Sequence, residues 1–220
     1  MLLITKTRLK GSCLQGLHLL FTKPLATSKM IPIEKFKKWY EEEIEKSSVR
    51  IPSACCLTSI GIDGYPNSRF VSLKEIVDNK FVITGPLNSK KGIELLSNPK
   101  ASLTFWWTET ERQIRIQGDS VQIENERADM YFRERNKESQ IVSKISKQGA
   151  EIKSLTELTN LFENLKSEYI DAEITRPAEW SGFYIIPKRI EFMEFSKSRF
   201  HFRELFTKEN GFWNKVILQP

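Results

Sequence analysis

Two arginines bracket a histidine in Arg199-Phe-His201-Phe-Arg203, and the only other histidine in 220 residues is His18. Guanidinium groups bind phosphate or carboxylate through paired hydrogen bonds and stay charged, whereas imidazole can exchange a proton near neutrality. Read as a β-strand, the pentapeptide puts Arg199, His201 and Arg203 on one face and turns Phe200 and Phe202 toward the core. Such a face suits an anionic ligand.

Other residues of the same chemistry are spread along the chain. Arg69 and Lys74 end the run Arg-Phe-Val-Ser-Leu-Lys, and Gln113 directly follows Arg112. Ser89-Lys90-Lys91 falls at an expected helix start, where free backbone amides and the helix dipole favour a phosphate. Tyr131, Arg135 and Ser139 recur every fourth residue, which a helix would bring to one side. Several familiar signatures are missing: Gly-x-Gly-x-x-Gly, the phosphate loop ending in Lys-Ser/Thr, His-Glu-x-x-His and Gly-x-Ser-x-Gly. Two histidines make no metal cluster, so no metal is expected. Any chemistry therefore falls to a bound organic cofactor.

Composition sets wide bounds. A net charge of +6, from 34 basic against 28 acidic residues, can favour anionic ligands without pointing to nucleic acid. No run approaches the ~20 apolar residues of a membrane span. Cys13, Cys55 and Cys56 form no Cys-x-x-Cys, and an odd, partly adjacent set fits a reducing compartment, with the cytoplasm as the expected location. Residues 1–29 are basic and free of acid, the character of an organellar address, of a flexible extension or of an overlong start with Met30 as the true beginning. They are set apart from a single domain over residues 30–220.

The scaffold follows from periodicity. Pro32, Ile33, Phe36, Trp39, Tyr40 and Ile44 have helical spacing, with Glu41, Glu42, Glu43 and Glu45 on the wet side. Strands are expected over 54–60, 67–74 and 80–84, joined by turns at Gly61–Pro66 and Asp78-Asn79. A short helix runs from Asn88 or Ser89 to Leu96, followed by a hairpin of strands 101–108 and 112–122. Helices are expected over 124–135 and 154–167, with an irregular polar section between them. Strand character returns at 180–186, 189–195, 200–207 and 213–218. Many antiparallel strands with inserted helices point to a β-barrel plus helices, an α+β fold.

The order of these anchors resembles the pyridoxamine 5′-phosphate oxidase family, flavoenzymes that make pyridoxal 5′-phosphate. The likeness runs from about Pro32 to Pro220 and rests on Arg69-Phe-Val-Ser-Leu-Lys74, Asn98-Pro-Lys-Ala-Ser-Leu103, Glu111-Arg-Gln113, Tyr131-Phe132 with Arg135, Ser139-Gln-Ile141, Ser146-Lys-Gln148, Ile190-Glu-Phe192, Arg199 to Arg203 and Leu218-Gln-Pro220. It implies an antiparallel FMN-binding split β-barrel that forms a homodimer, with FMN at the subunit interface. Positions matching FMN contacts are Arg69, Phe70, Val71, Ser72, Leu73, Lys74, Ile83, Thr84, Lys90, Lys91, Gln113, Gln148, Gly149, Met193 and Arg203. Lys74, Tyr131, Arg135 and Ser139 match the holders of the substrate phosphate, and Arg199, Phe200 and His201 match the element beside the pyridine ring, with Arg199 and His201 as the catalytic pair.

The implied reaction moves a hydride from C4′ of pyridoxamine or pyridoxine 5′-phosphate to the flavin, with oxygen as final acceptor and hydrogen peroxide released. The amine substrate also yields ammonia. The chain departs from the family pattern at Lys90, usually arginine, at Met193, usually tryptophan, at Gly149, usually serine, and at Phe202, where an acid is lost. Alternatives are a related oxidase of phenazine-type biosynthesis and a binder of flavin or pyridoxal phosphate without catalysis.

Overall fold

The computed structural model describes residues 31–170 and 172–220; the expectation of a basic leader over 1–29 lies outside them. Helix α1 (Pro32–Lys46) leads into strands β1 (Ala54–Ile60), β2 (Pro66–Ser72), β3 (Glu75–Val77) and β4 (Lys80–Pro86). Helix α2 (Lys90–Ser97), the hairpin β5 (Lys100–Trp107) and β6 (Arg112–Gln122), and helices α3 (Asn125–Arg133), α4 (Lys137–Ile145) and α5 (Leu155–Glu168) follow. The chain closes with β7 (Trp180–Glu194), β8 (Phe202–Glu209) and β9 (Phe212–Leu218).

All nine strands join one antiparallel sheet in the order β2-β1-β5-β6-β7-β4-β3, with β8 also pairing β7 and β9 pairing β8. The branch lies in β7. Its first half pairs β4 through Phe81–Ile185 to Pro86–Trp180, and its second half pairs β8 through Arg189–Thr207 to Glu194–Phe202. Sequence periodicity splits this element at Pro187-Lys188, because proline removes a ladder donor. The structure instead keeps one 15-residue strand and absorbs Pro187 in a register shift beside Gly118. A Cβ at Gly118 would lie 2.2 Å from the Ile186 carbonyl oxygen, so only glycine allows that approach.

Two apolar clusters hold the sheet. In the first, Ile33, Phe36 and Trp39 of α1 pack on Leu57, Phe81, Leu103, Phe105, Ile114 and Phe192. Phe36 meets Phe81 and Phe105 edge to face, with ring centres 4.9 and 5.1 Å apart. In the second, α3 and α4 bring Ala128, Tyr131, Phe132 and Ile141 against Val82, Trp180 and Tyr184.

Two expectations need correction here. Glu43 is buried, not on the wet side: its carboxylate accepts the backbone N–H of Thr110 at 3.0 Å and the Thr110 hydroxyl at 2.8 Å, tying α1 to the β5–β6 turn. The section expected to be irregular contains α4. Its start is capped by Asn136, whose side chain accepts the Ser139 N–H at 2.8 Å, and Gln140 donates to the carbonyls of Phe132, Arg133 and Arg135 that end α3.

Candidate active site

The site residues read from the sequence fall into three groups. The first surrounds the N-terminus of α2. Ser89 caps the helix, accepting the Gly92 N–H, and its neighbours Lys90 and Lys91 flank the free amides. Lys90 donates to the Asn67 side-chain oxygen at 3.1 Å; Lys91 donates to Gln148 at 2.6 Å and to the Ser89 hydroxyl at 3.3 Å. Arg69 reaches the same region from β2, where it pairs with Leu57, and donates to the Ser59 hydroxyl and, at 2.8 Å, to the Glu94 carboxylate. Among the described residues both lysines thus meet neutral partners only, beside the positive end of a helix dipole. Burial, and then the nearby Arg69 charge, lowers the Lys91 pKa to about 8. Three cations crowded at a helix N-terminus, of which only Arg69 is paired with an acid, fit the phosphate of a flavin mononucleotide. A cavity of about 290 Å³, lined by Ile62, Asp63, Lys90, Ile93 and Glu94, opens beside this group.

Not every expected contact in this region is a side chain. Leu73 and Ile83 are buried in the core, so only their backbone is left to meet a ligand. Phe70 and Ser72 lie on the opposite face of β2 from Arg69 and Val71, exposed to solvent. Thr84 pairs with Gly182 across the β4–β7 ladder, next to Gly85. Gly149, just after Gln148, has φ +87°, a conformation that glycine adopts freely and serine does not.

The second group lies around α3 and α4. Lys74 forms an ion pair with Glu134 at 2.7 Å and sits 5.4 Å from the centre of the Tyr131 ring. The Tyr131 hydroxyl donates to Glu75 and accepts from Arg127 at 3.3 Å; burial, and then the Glu75 contact, pushes its pKa up to about 12. Arg135 stacks over Trp180 at 5.1 Å and donates to the Ser139 carbonyl at 3.3 Å, while its buried Nε has no partner. A buried guanidinium N–H without an acceptor is costly, and an anionic ligand would satisfy it. Arg127 and Glu75 were not singled out in the sequence. The i, i+4 spacing of Arg127 and Tyr131 on α3 was the available signal.

The third group lies on the outward face of the sheet. Cross-strand pairing sets Trp106, Gln113, Met193 and Arg203 in one row over β5, β6, β7 and β8. In the adjoining row, Glu191 is buried between Arg115 and Arg203; Arg203 donates to one of its carboxylate oxygens from Nε at 2.9 Å and from a terminal nitrogen at 2.7 Å. Burial drives the Glu191 carboxyl pKa upward, but the two guanidinium groups outweigh it and hold the value below normal.

The Arg199–Arg203 element is only in part a strand, and the alternation read from its sequence fails. β8 begins at Phe202. A turn closed by the Arg199 N–H on the Ser196 carbonyl, at 3.0 Å, puts Arg199 at φ +68°. Phe200 is 77% exposed. Phe202 keeps the parity of Glu204 and Phe206 but stands at the end of its strand, 49% exposed, so neither phenylalanine reaches the core. His201 accepts the Ser196 N–H on Nδ1 at 3.0 Å, which leaves Nε2 to carry the proton of a neutral ring. The His201 ring lies 4.8 Å from Phe195, which in turn meets Trp106 edge to face at 4.7 Å. That aromatic chain connects His201 to the Gln113–Met193–Arg203 row. The Arg199 side chain makes no hydrogen bond or ion pair among the described residues. No hydrogen bond or ion pair joins this third group to the other two among the described residues.

Comparison with known proteins defines the class. Residues 40–165 match the family model described as "Pyridoxamine 5'-phosphate oxidase", and residues 180–220 match "Pyridoxine 5'-phosphate oxidase C-terminal dimerisation region". The chain belongs to the pyridoxamine 5′-phosphate oxidase family. A relative named pyridoxine/pyridoxamine 5′-phosphate oxidase from Pelagibacter ubique is 39% identical over 87% of this chain and 93% of its own length. One of the same name from Thermosynechococcus vestitus is 35% identical over 86% and 89%. Among solved structures, PhzG from Burkholderia lata in complex with tetrahydrophenazine-1-carboxylic acid superposes with a TM-score of 0.81 at 28% identity, covering 86% of this chain and 92% of that one. The mostly antiparallel barrel with inserted helices agrees with the fold expected from the sequence. No helix among the described residues is long and apolar enough to cross a membrane.

Proposed function

We propose that this chain is an FMN-dependent oxidase that converts pyridoxamine and pyridoxine 5′-phosphate to pyridoxal 5′-phosphate in the cytoplasm, with oxygen as acceptor. Hydrogen peroxide is the second product, and the amine substrate also releases ammonia. The observation that carries the reading is the convergence of Arg69, Lys90, Lys91 and Gln148 on the N-terminus of α2, from separate stretches of the chain. When bound, FMN would supply the two-electron oxidation of the substrate at C4′, with oxygen as final acceptor.

The chain's own residues bind and orient. Arg69, Lys90 and Lys91 hold the flavin phosphate, and Gln113, Met193 and Arg203 meet the ring system from their shared row. Lys74, Tyr131, Arg135 and Ser139 hold the substrate phosphate, with the unpartnered Arg135 Nε as its principal donor. Arg199 and His201 align the pyridine ring, and His201 Nε2 is the group able to hold a proton beside it. Among the described residues no hydrogen bond or ion pair joins the third group to the other two, and the match to a dimerisation region spans β7–β9. Together these support a homodimer in which the outward face, with exposed Phe70, Trp106 and Val216, packs on a second copy that completes the flavin site.

A second reading, an oxidase of phenazine-type biosynthesis, is favoured by the likeness to PhzG. The Lys74–Tyr131–Arg135 group favours a phosphorylated substrate instead. An anaerobic titration of the flavin-loaded protein separates the readings: pyridoxamine 5′-phosphate should bleach the yellow absorbance, and admitting air should restore it with release of peroxide. A flavin that stays oxidised with every phosphorylated vitamer would overturn the proposal.

A further inference from the structure

Glu94 stands out as an acid in a site built for an anion. It lies in the second turn of α2, is only 1% exposed, and carries a carboxylate that accepts three hydrogen bonds. Oε2 accepts from the Ser59 hydroxyl at 2.5 Å and from Arg69 at 2.8 Å; Oε1 accepts from the Asn67 amide at 2.7 Å. The Asn67 side-chain oxygen then accepts from Lys90. Burial drives the carboxyl pKa up, and the bonds from Ser59, Arg69 and Asn67 outweigh it, so the group stays ionised with its pKa below normal. One buried carboxylate therefore sets the orientation of Arg69 directly and of Lys90 through one intermediate.

We propose that Glu94 is the positioning residue of the flavin-phosphate cradle: it fixes the Arg69 fork and the Asn67–Lys90 pair so that their remaining donors face the ligand phosphate. The inference rests on the flavin reading above. Without Glu94, Arg69 keeps its charge but loses the acceptor that orients it, and a mobile guanidinium gives up much of its directional bonding. Glutamine is not a neutral replacement. It must turn its amide either toward Arg69 and Ser59 or toward Asn67, and each choice sets donor against donor.

The test is the binding of FMN and of riboflavin, which lacks the phosphate, to flavin-free protein, followed by flavin fluorescence. Glu94→Ala should weaken FMN binding by roughly 10-fold to 100-fold, the range of a lost hydrogen bond to a charged group, and leave riboflavin binding unchanged. Glu94→Gln, which keeps the side-chain volume, should fall between Glu94→Ala and the wild type and decides the matter if Glu94→Ala does not fold. FMN and riboflavin weakened by the same factor would overturn the positioning role, because a general loss of structure does not distinguish them. A folded Glu94→Gln with wild-type FMN affinity would overturn it equally. A wild-type chain that binds neither flavin would overturn the flavin reading and this inference with it.

Discussion

The two ends of the candidate flavin site are held in opposite ways. At the phosphate end, Arg69, Lys90, Lys91 and Gln148 each have a partner within the chain, and a buried glutamate anchors the network. At the ring end, Arg203 is fixed by Glu191, but the adjacent turn leaves the Arg199 side chain without a partner among the described residues and Phe200 in solvent. A cradle that recognises a fixed anion gains from groups oriented in advance, since no ordering cost remains at binding. On the proposed reading, Arg199 and His201 act on the reacting ring and would complete their contacts on assembly and substrate binding.

This contrast separates binding from turnover, and substitutions should break it in a fixed order. The largest effect is expected at the ring end. Arg199→Ala and His201→Ala should each retain FMN, seen as unchanged flavin absorbance after gel filtration, while peroxide release at saturating substrate falls on the order of 100-fold. Wild-type turnover in both would remove this element from the reaction. The next effect belongs to the second group. Arg135→Ala should raise KM for the phosphorylated substrate by about 10-fold to 100-fold, because the guanidinium is half-buried and its Nε awaits an anion, with flavin retention little changed. A fall in kcat at constant KM would instead assign Arg135 to the transition state.

How much of this was legible in the sequence depends on what each residue needed in order to be recognised. Helix α1, the β5–β6 hairpin and a helix cap at Asn88 or Ser89 follow from local rules, because their periodicity and capping chemistry lie within a few residues; the structure decides for Ser89. The continuity of β7 through Pro187 does not, since it depends on Gly118 in a partner strand. Site residues recognised by their charge, such as Lys90, Lys91 and Arg135, announce themselves by type and order. The residues that hold them do not. Glu94 and Glu191 read as ordinary acids in a helix and a strand until tertiary pairing buries them against arginine. The Arg199–Arg203 alternation misled because a turn at φ +68° has no signature in a charged and aromatic pentapeptide.

A smaller effect tests the phosphate end through pH. With its pKa lowered to about 8, Lys91 in the flavin-free protein is charged below that value and neutral above it. A bound phosphate favours the charged form and raises the pKa, so binding takes up a proton in the window between the free and bound values. FMN affinity should therefore be flat just below pH 8 and fall as pH rises above it, by up to about tenfold per unit. Lys91→Arg should remove the slope, and riboflavin should not show it. An equal slope for both flavins would place the titrating group away from the phosphate.

The smallest effects come from two positive-φ positions, one at each end. Gly149 has φ +87° with no atom within 4 Å of an added Cβ, so a side chain there meets backbone strain and no clash. Gly149→Ser should lower the stability of the flavin-free protein by about 1 kcal/mol, a fall in Tm of ~2–4 °C for a domain of this size. Arg199 already bears that strain at φ +68°. A left-handed backbone costs a residue with a Cβ about 1–2 kcal/mol, and the extra freedom of glycine in the unfolded chain offsets about 0.5–1 kcal/mol of the relief. Arg199→Gly should therefore leave Tm unchanged or slightly raised while turnover is lost. Opposite responses at the two positions would mean that the chain is relaxed where it holds the phosphate and strained where it meets the substrate, as expected of a residue kept for its chemistry and not for the fold. A fall in Tm on Arg199→Gly as large as that of Gly149→Ser would show that the arginine side chain supports the turn, and the contrast between the two ends would be lost.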